Sequence, residues 1–297
     1  MKLLVAYQPG SEGETLATDL RRAGLPDDVD ALVLSVADVL LVPPAADAGA
    51  LPPVVMRARQ QAERAIAQAQ QAAADEGQRL GAVFPSWRIR TDACADSPAW
   101  AIVKTAEALL PDLIVVGSHN HSVLGRLVLG SVAQRVLAEA RCSVRIARPT
   151  HAAPGAPVRL LVGIDGSAGA DAAVYSVARR KWPPASEARL VAVLDPTLTG
   201  AVAASGVNSD VKAGVGGFVD DAVAMLATAG LLTSTEVSPG DPKRVLVDEA
   251  ERWGADCIFV GASGLRGFDR FVIGSVSTAV ATRARCAVEV VRAAAAG

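Results

Sequence analysis

The chain contains one pattern twice. Gly117, Gly130, Ser131, Val132 and Cys142 recur 144 residues later as Gly261, Gly274, Ser275, Val276 and Cys286. The apolar run LLVAY at residues 3–7 recurs as LLVGI at 160–164, 157 residues on, so the first copy is 13 residues longer between these landmarks. A repeat this long is two copies of one compact unit, not an array of short ones. The 297 residues give each copy enough chain to bury its own core. Between them runs PTHAAPGAP, residues 149–157, a Pro/Ala stretch of the kind that links compact units. The predicted domains are therefore 1–149 and 158–297.

Within each copy short apolar runs alternate with helical patterns, which predicts an α/β fold of two repeated, doubly wound, five-stranded parallel sheets. In the first copy strands are predicted at 2–7, 31–37, 86–91, 113–116 and 143–147. Helices are predicted at 12–23, 53–80, 97–110 and 131–140, with Gly24 ending the first and Ser97-Pro98 opening the third. In the second copy strands are expected at 159–164, 189–194, 234–237, 257–260 and 287–291. Helices start near Ser167, at 219 and at Asp241-Pro242, while the glycine-rich stretch 195–217 reads as a mobile loop. The fifth strand of each copy, SVRIA or AVEVV, would leave an open sheet edge. The expectation is that these two edges pair, making an internal pseudo-dimer.

Composition narrows the function classes. Lys and Arg number 29 against 31 Asp and Glu, with no run of about five or six like charges, which argues against nucleic acid or an acidic membrane as partner. No apolar stretch approaches the roughly eighteen residues that would cross a bilayer. The short apolar start fits a buried strand better than a signal peptide, so a cytoplasmic protein is expected. Cys94, Cys142, Cys257 and Cys286 have no CxxC spacing and read as reduced thiols. Cys142 and Cys286, equivalent under the repeat, are expected to lie near one another across the pseudo-twofold.

The chemistry concentrates in VGASGLRGFDRFVIGSV, residues 260–276. A strand that empties into a glycine turn and then feeds a helix N-terminus suits a phosphate, because free N–H groups and the helix dipole both favour an anion. Gly261 and Gly264 let backbone approach a ligand. Gly274, Ser275 and Val276 would present N–H groups, with Ser275 Oγ as a further donor. At this pattern the chain resembles the universal stress proteins, in a tandem two-domain form with a Rossmann-like fold. The resemblance covers nearly the whole chain as two copies.

That resemblance implies an ATP-binding, stress-response protein, with Mg2+ as an accompanying ion and adenine nucleotide as the partner. It places Asp165 at the position facing the nucleotide and Val193 at the one whose backbone contacts adenine. Asp165 could instead cap the following helix. The implied cofactor-binding set is Asp165, Val193, Gly261, Gly264, Gly274, Ser275 and Val276. In the first copy Gln8 replaces the Asp and Asn120 the second glycine, so its nucleotide site reads as degenerate. A further homodimer is left open.

No catalytic or metal-binding residue is assigned. His119 and His121 lack companions at ligand spacing and read as solvated. Neither a Walker GK[ST] ending nor a GxSxG elbow is present. Two other readings stay open, an interaction scaffold without nucleotide and an enzyme that transfers from ATP.

Overall fold

The protein is described from a computed structural model over residues 1–8, 12–39, 52–118, 129–150, 152–194, 208–263 and 273–293, with the side chains of all but 12–14 and 208–216. The first repeat gives β1 (Lys2–Tyr7), α1 (Glu12–Arg21), β2 (Asp30–Ala37), α2 (Pro53–Val83), β3 (Arg88–Ala95), α3 (Pro98–Leu109), β4 (Leu113–Gly117), α4 (Ser131–Glu139) and β5 (Ser143–Ala147). The second gives β6 (Arg159–Ile164), α5 (Ala168–Ala178), β7 (Glu187–Leu194), α6 (Asn208–Thr228), β8 (Leu232–Pro239), α7 (Pro242–Trp253), β9 (Cys257–Gly261), α8 (Ser275–Arg283) and β10 (Ala287–Val291).

All ten strands join one sheet in the order β3-β2-β1-β4-β5-β10-β9-β6-β7-β8. Pairing is parallel within each repeat and antiparallel only where β5 meets β10, with Val144, Arg145 and Ile146 opposite Val290, Glu289 and Val288. The expected internal pseudo-dimer is thus formed by the two edge strands, each hiding the other's unpaired backbone groups.

One apolar cluster runs under α3, α4, α7 and α8 and crosses the seam through Ile146, Val144, Val288 and Val290. The opposite face holds two separate clusters, one under α1 and α2 and one under α5 and α6. Charge fills the space between them. Arg145 is 1% exposed, donates to Asp19 of α1 at 2.7 Å and reaches Glu289 at 3.3 Å. Glu289 also pairs with Arg180, just past the end of α5. Arg145 and Glu289 occupy the same repeat position, so the seam meets itself with opposite charges.

A second link is reciprocal. Arg148 donates to the carbonyls of Ala281 (2.6 Å), in the last turn of α8, and Cys286 (2.7 Å), just before β10, and Arg292 donates to that of Leu137 (3.3 Å), in the last turn of α4. Each repeat thereby supplies a cation to carbonyls that the other's helix end leaves without intrahelical partners.

Two expectations are corrected. The stretch 195–217 was to be a loop, yet α6 begins at Asn208, and 195–207 lies outside the described residues. Glycine costs a helix about 1 kcal/mol per residue, but α6 recovers this where Val219, Ala222 and Leu226 are buried on the core. The cysteines are free thiols, as expected, but Cys142 and Cys286 do not approach one another. Antiparallel register puts Cys142 at the Arg292 end of the seam and Cys286 at the Arg148 end, six strand positions or about 20 Å apart. No bridge spans that. Burial pushes both thiols up to about 11, which makes them poor nucleophiles.

Replacing Arg145 with Ala leaves Asp19 and Glu289 buried with a cation missing, and should cost about 3–5 kcal/mol in urea unfolding. The exposed Arg59–Glu63 pair on α2 is the control, and Arg59→Ala should cost under ~1 kcal/mol. A second prediction concerns Glu76 of α2, which is fully buried. Burial raises its carboxyl from 4.5 to about 7, although Arg79 lies at 2.6 Å. The folded chain thus holds a proton there that the unfolded chain loses, so Glu76 should remove roughly 3 kcal/mol of stability as pH rises from 4.5 to 7. Glu76→Gln should abolish that part of the decline when unfolding is measured at pH 5 and pH 8.

Candidate functional site

In the second repeat the chain leaves β6 on one side for β7 and returns on the other side as β9. Neighbouring crossovers diverge at such a reversal, which opens a crevice beyond the carboxyl ends of the strands. The β6·β9 ladder stops at Val162↔Phe259, short of the ends of both strands. Asp165 comes next after β6 and is exposed. Its Oδ1 accepts the Ser167 N–H at 3.0 Å, while Ser167 Oγ accepts from Ala170 N at 3.2 Å. The helix cap is therefore Ser167, and Asp165 braces the turn before it. The β6·β7 ladder ends at Ile164↔Ala192, so Val193 follows on β7 as the residue nearest Asp165 in register.

The β9 turn lies on the other flank. Gly261 has ordinary negative φ, and the need for glycine comes from packing: an added Cβ would lie 2.8 Å from Gly169 Cα and closer still to other backbone atoms of that residue. Gly169 in turn faces the Ser263 carbonyl. Two glycines let α5 and the turn touch backbone to backbone. This packing is a reason for Gly261 beyond the expected close approach of a ligand. Ser277 Oγ donates to the Gly261 carbonyl at 2.5 Å, and Gly274 N–H to the Ala262 carbonyl at 2.6 Å. The start of α8 is thereby tied to the end of β9. Ser277 was not picked out from the sequence, although it follows the GSV motif directly.

The N-cap of α8 is Gly274 (φ −70°, ψ 152°), and no side chain among the described residues caps the helix. Ser275 is exposed and Val276 half-buried at its first turn. Asp165, Val193, Gly261, Gly274, Ser275 and Val276 thus share one edge of the sheet. Gly264 lies outside the described residues. The first repeat places Gln8, Gly117 and the uncapped Gly130 at equivalent points. Its crevice, between Tyr7, Gln8, Val36, Ile102, Gly117 and Val132, has a volume of about 30 Å3. Asn120, His119 and His121 lie outside the described residues.

Fold and crevice together define a class: a tandem α/β protein whose two doubly wound halves share one sheet. The universal stress protein family model matches residues 1–148 and again 158–292, and the chain belongs to that family. A universal stress protein of Methanocaldococcus jannaschii is 41% identical over 61 residues, and a putative one of Staphylococcus epidermidis is 44% identical over 59. Each alignment covers 20% of this chain and 36% of the relative, so the chain spans about a third of the length of the curated relatives it matches. The crystal structure of a universal stress protein from Archaeoglobus fulgidus is similar over 98% of both chains, with a TM-score of 0.67 and 18% identity. At that identity the likeness speaks for the fold. Among the described residues, no helix is long and apolar enough to cross a membrane.

Substituting Gly261 by Ala drives a Cβ into the Gly169 backbone, which has no side chain to swing aside. The expected loss is about 1–3 kcal/mol, as for an overpacked core. Gly274→Ala should cost less, because its nearest obstacle is the Ala262 carbonyl at 3.3 Å. Thermal unfolding of the two variants side by side checks this.

Proposed function

We propose that the second repeat binds ATP in the crevice between β6 and β9, and that the protein acts in the cytoplasm in a stress response through nucleotide-dependent shape or partners. The observation that carries this is the α8 N-terminus. Among the described residues its first turn has no side-chain cap, and it is fixed to β9 by two hydrogen bonds at the edge where Asp165 stands. Helix amides and the dipole would take the phosphates. Asp165 would accept hydrogen bonds from adenine or ribose, and the Val193 backbone would lie along the base. Gly264 would give the turn its close approach. A Mg2+ ion would accompany the triphosphate. Nothing in the set supplies a nucleophile and base, so the role is binding, with slow hydrolysis at most.

Gln8 standing where the second repeat has Asp165 favours a division of labour, in which the first repeat serves as pairing partner. On this reading the units are residues 1–149, with a degenerate site, and 158–297, with the complete one.

A proline substitution tests the assignment while sparing the fold. Ser275 is the first residue of α8, where proline is well tolerated, and Gly274 already has the extended backbone that a residue before proline requires. Ser275→Pro removes one N–H and one hydroxyl from the phosphate face. At roughly 1.5–3 kcal/mol for a hydrogen bond to a charged group, ATP affinity should fall at least ~10-fold in calorimetric titration. Ser131→Pro, the matching change in the first repeat, should leave affinity unchanged. Equal losses would mean two working sites, and no loss in a folded Ser275→Pro variant would remove the assigned cradle.

A further inference from the structure

A cavity of about 390 Å3 opens between the two repeats, lined by α1, the end of β5, the end of α7 and the residues just before β9 and β10. For the second repeat this is the far edge of the sheet from Asp165 and Gly261, one strand length or about 16 Å away. Its volume is far beyond the ~30 Å3 that one water takes in the liquid.

The charge lining it is not balanced. Asp19 is matched to Arg145 at 2.7 Å, Asp256 to Arg22 at 2.8 Å and Glu251 to Arg285 at 2.9 Å. The fourth arginine, Arg148, has no carboxylate partner among the described residues. It is 1% exposed, and its terminal nitrogens donate only to backbone carbonyls. Its Nε is buried with no partner, and so is the Nε of Arg22, which is 6% exposed. Guanidinium stays protonated in proteins. A buried cation with no carboxylate in contact among the described residues, only the nearby Asp19 that Arg145 already holds, and two buried N–H groups without acceptors are each costly. An anion in the cavity would put a negative charge against Arg148, and it would give the two N–H groups an acceptor once the side chains turn toward it. Helix-end capping does not explain the site by itself, since Arg292 makes the equivalent contact to Leu137 while only half-buried.

We propose that this cavity is a second ligand site, which takes a small phosphate-bearing anion between Arg148 and Arg22, with Arg285 at its mouth. A tetrahedral anion suits donors that arrive from separate elements, and the volume leaves room for an organic group on the phosphate. The ligand would bridge the repeats. Arg22 directly follows α1, holds the linker carbonyls of Ala156 and Pro157, and pairs with Asp256 before β9, so occupancy would stiffen the joint between the halves.

The test is titration of the full chain with inorganic phosphate and with glycerol 3-phosphate at constant ionic strength, without nucleotide. Binding in the millimolar range or tighter is expected, weakened at least ~10-fold in Arg22→Gln and several-fold in Arg285→Gln. Circular dichroism establishes that each variant is folded. Arg285 is largely exposed, so its variant reports even if the Arg22 change unfolds the chain. Ser275→Pro should leave the arginine-dependent part of this binding untouched, whatever phosphate it removes from the α8 N-terminus. The proposal is overturned if neither phosphate binds, if binding survives every folded arginine variant, or if only Ser275→Pro abolishes it, since phosphate would then sit in the β6·β9 crevice.

Discussion

The Arg145–Glu289 contact is the interaction on which the architecture turns. Two doubly wound sheets could have stayed separate, each with its fifth strand exposed. They are instead one sheet because β5 and β10 pair antiparallel, and that register sets these two residues against each other. A protein built from two identical copies would bring like charge against like here. In this chain the repeat positions carry opposite signs, so each half complements the other and repels itself. Asp19, Arg180 and Ser176 complete the network from the flanking helices. Buried ion pairs are seldom net stabilising against apolar replacements, and their attested use is to fix which surfaces meet in which register.

The same seam controls what lies at its ends. Antiparallel pairing turns the second repeat over, so the carboxyl ends of one half's strands point away from those of the other. The two crevices are thus on opposite edges, each served by its own repeat. Cys142 and Cys286 separate for the same reason, and the reciprocal arginines fall at opposite ends of the seam. The cavity around Arg148 follows from this geometry as well, since it forms where the end of one half's strand meets the beginnings of the other's.

Much of this was legible in the chain. Strands buried on both faces, such as β1, β4, β6 and β9, are unbroken apolar runs, and their bounds match within a residue. The outermost strands were placed less well. β3 covers Arg88–Ala95 where 86–91 was expected, and β8 covers Leu232–Pro239 where 234–237 was expected. Both have an exposed face, so hydrophobicity marks them weakly, and their length is set by eight-residue ladders to β2 and β7. The start of α6 was hidden by its glycines, whose propensity is overridden where the helix packs on the core.

The sequence by itself determined the repeat, the α/β class, the order of elements along the chain, and the glycine, Asp and GSV motifs, because each of these is local or periodic. Only the tertiary structure decided what those residues touch. Gly261 is glycine because Gly169 of another element lies against it, Ser277 ties the motif's two ends together, and Arg148 is buried on carbonyls over a hundred residues away. Such facts depend on contacts between elements distant in sequence, and no local pattern encodes them.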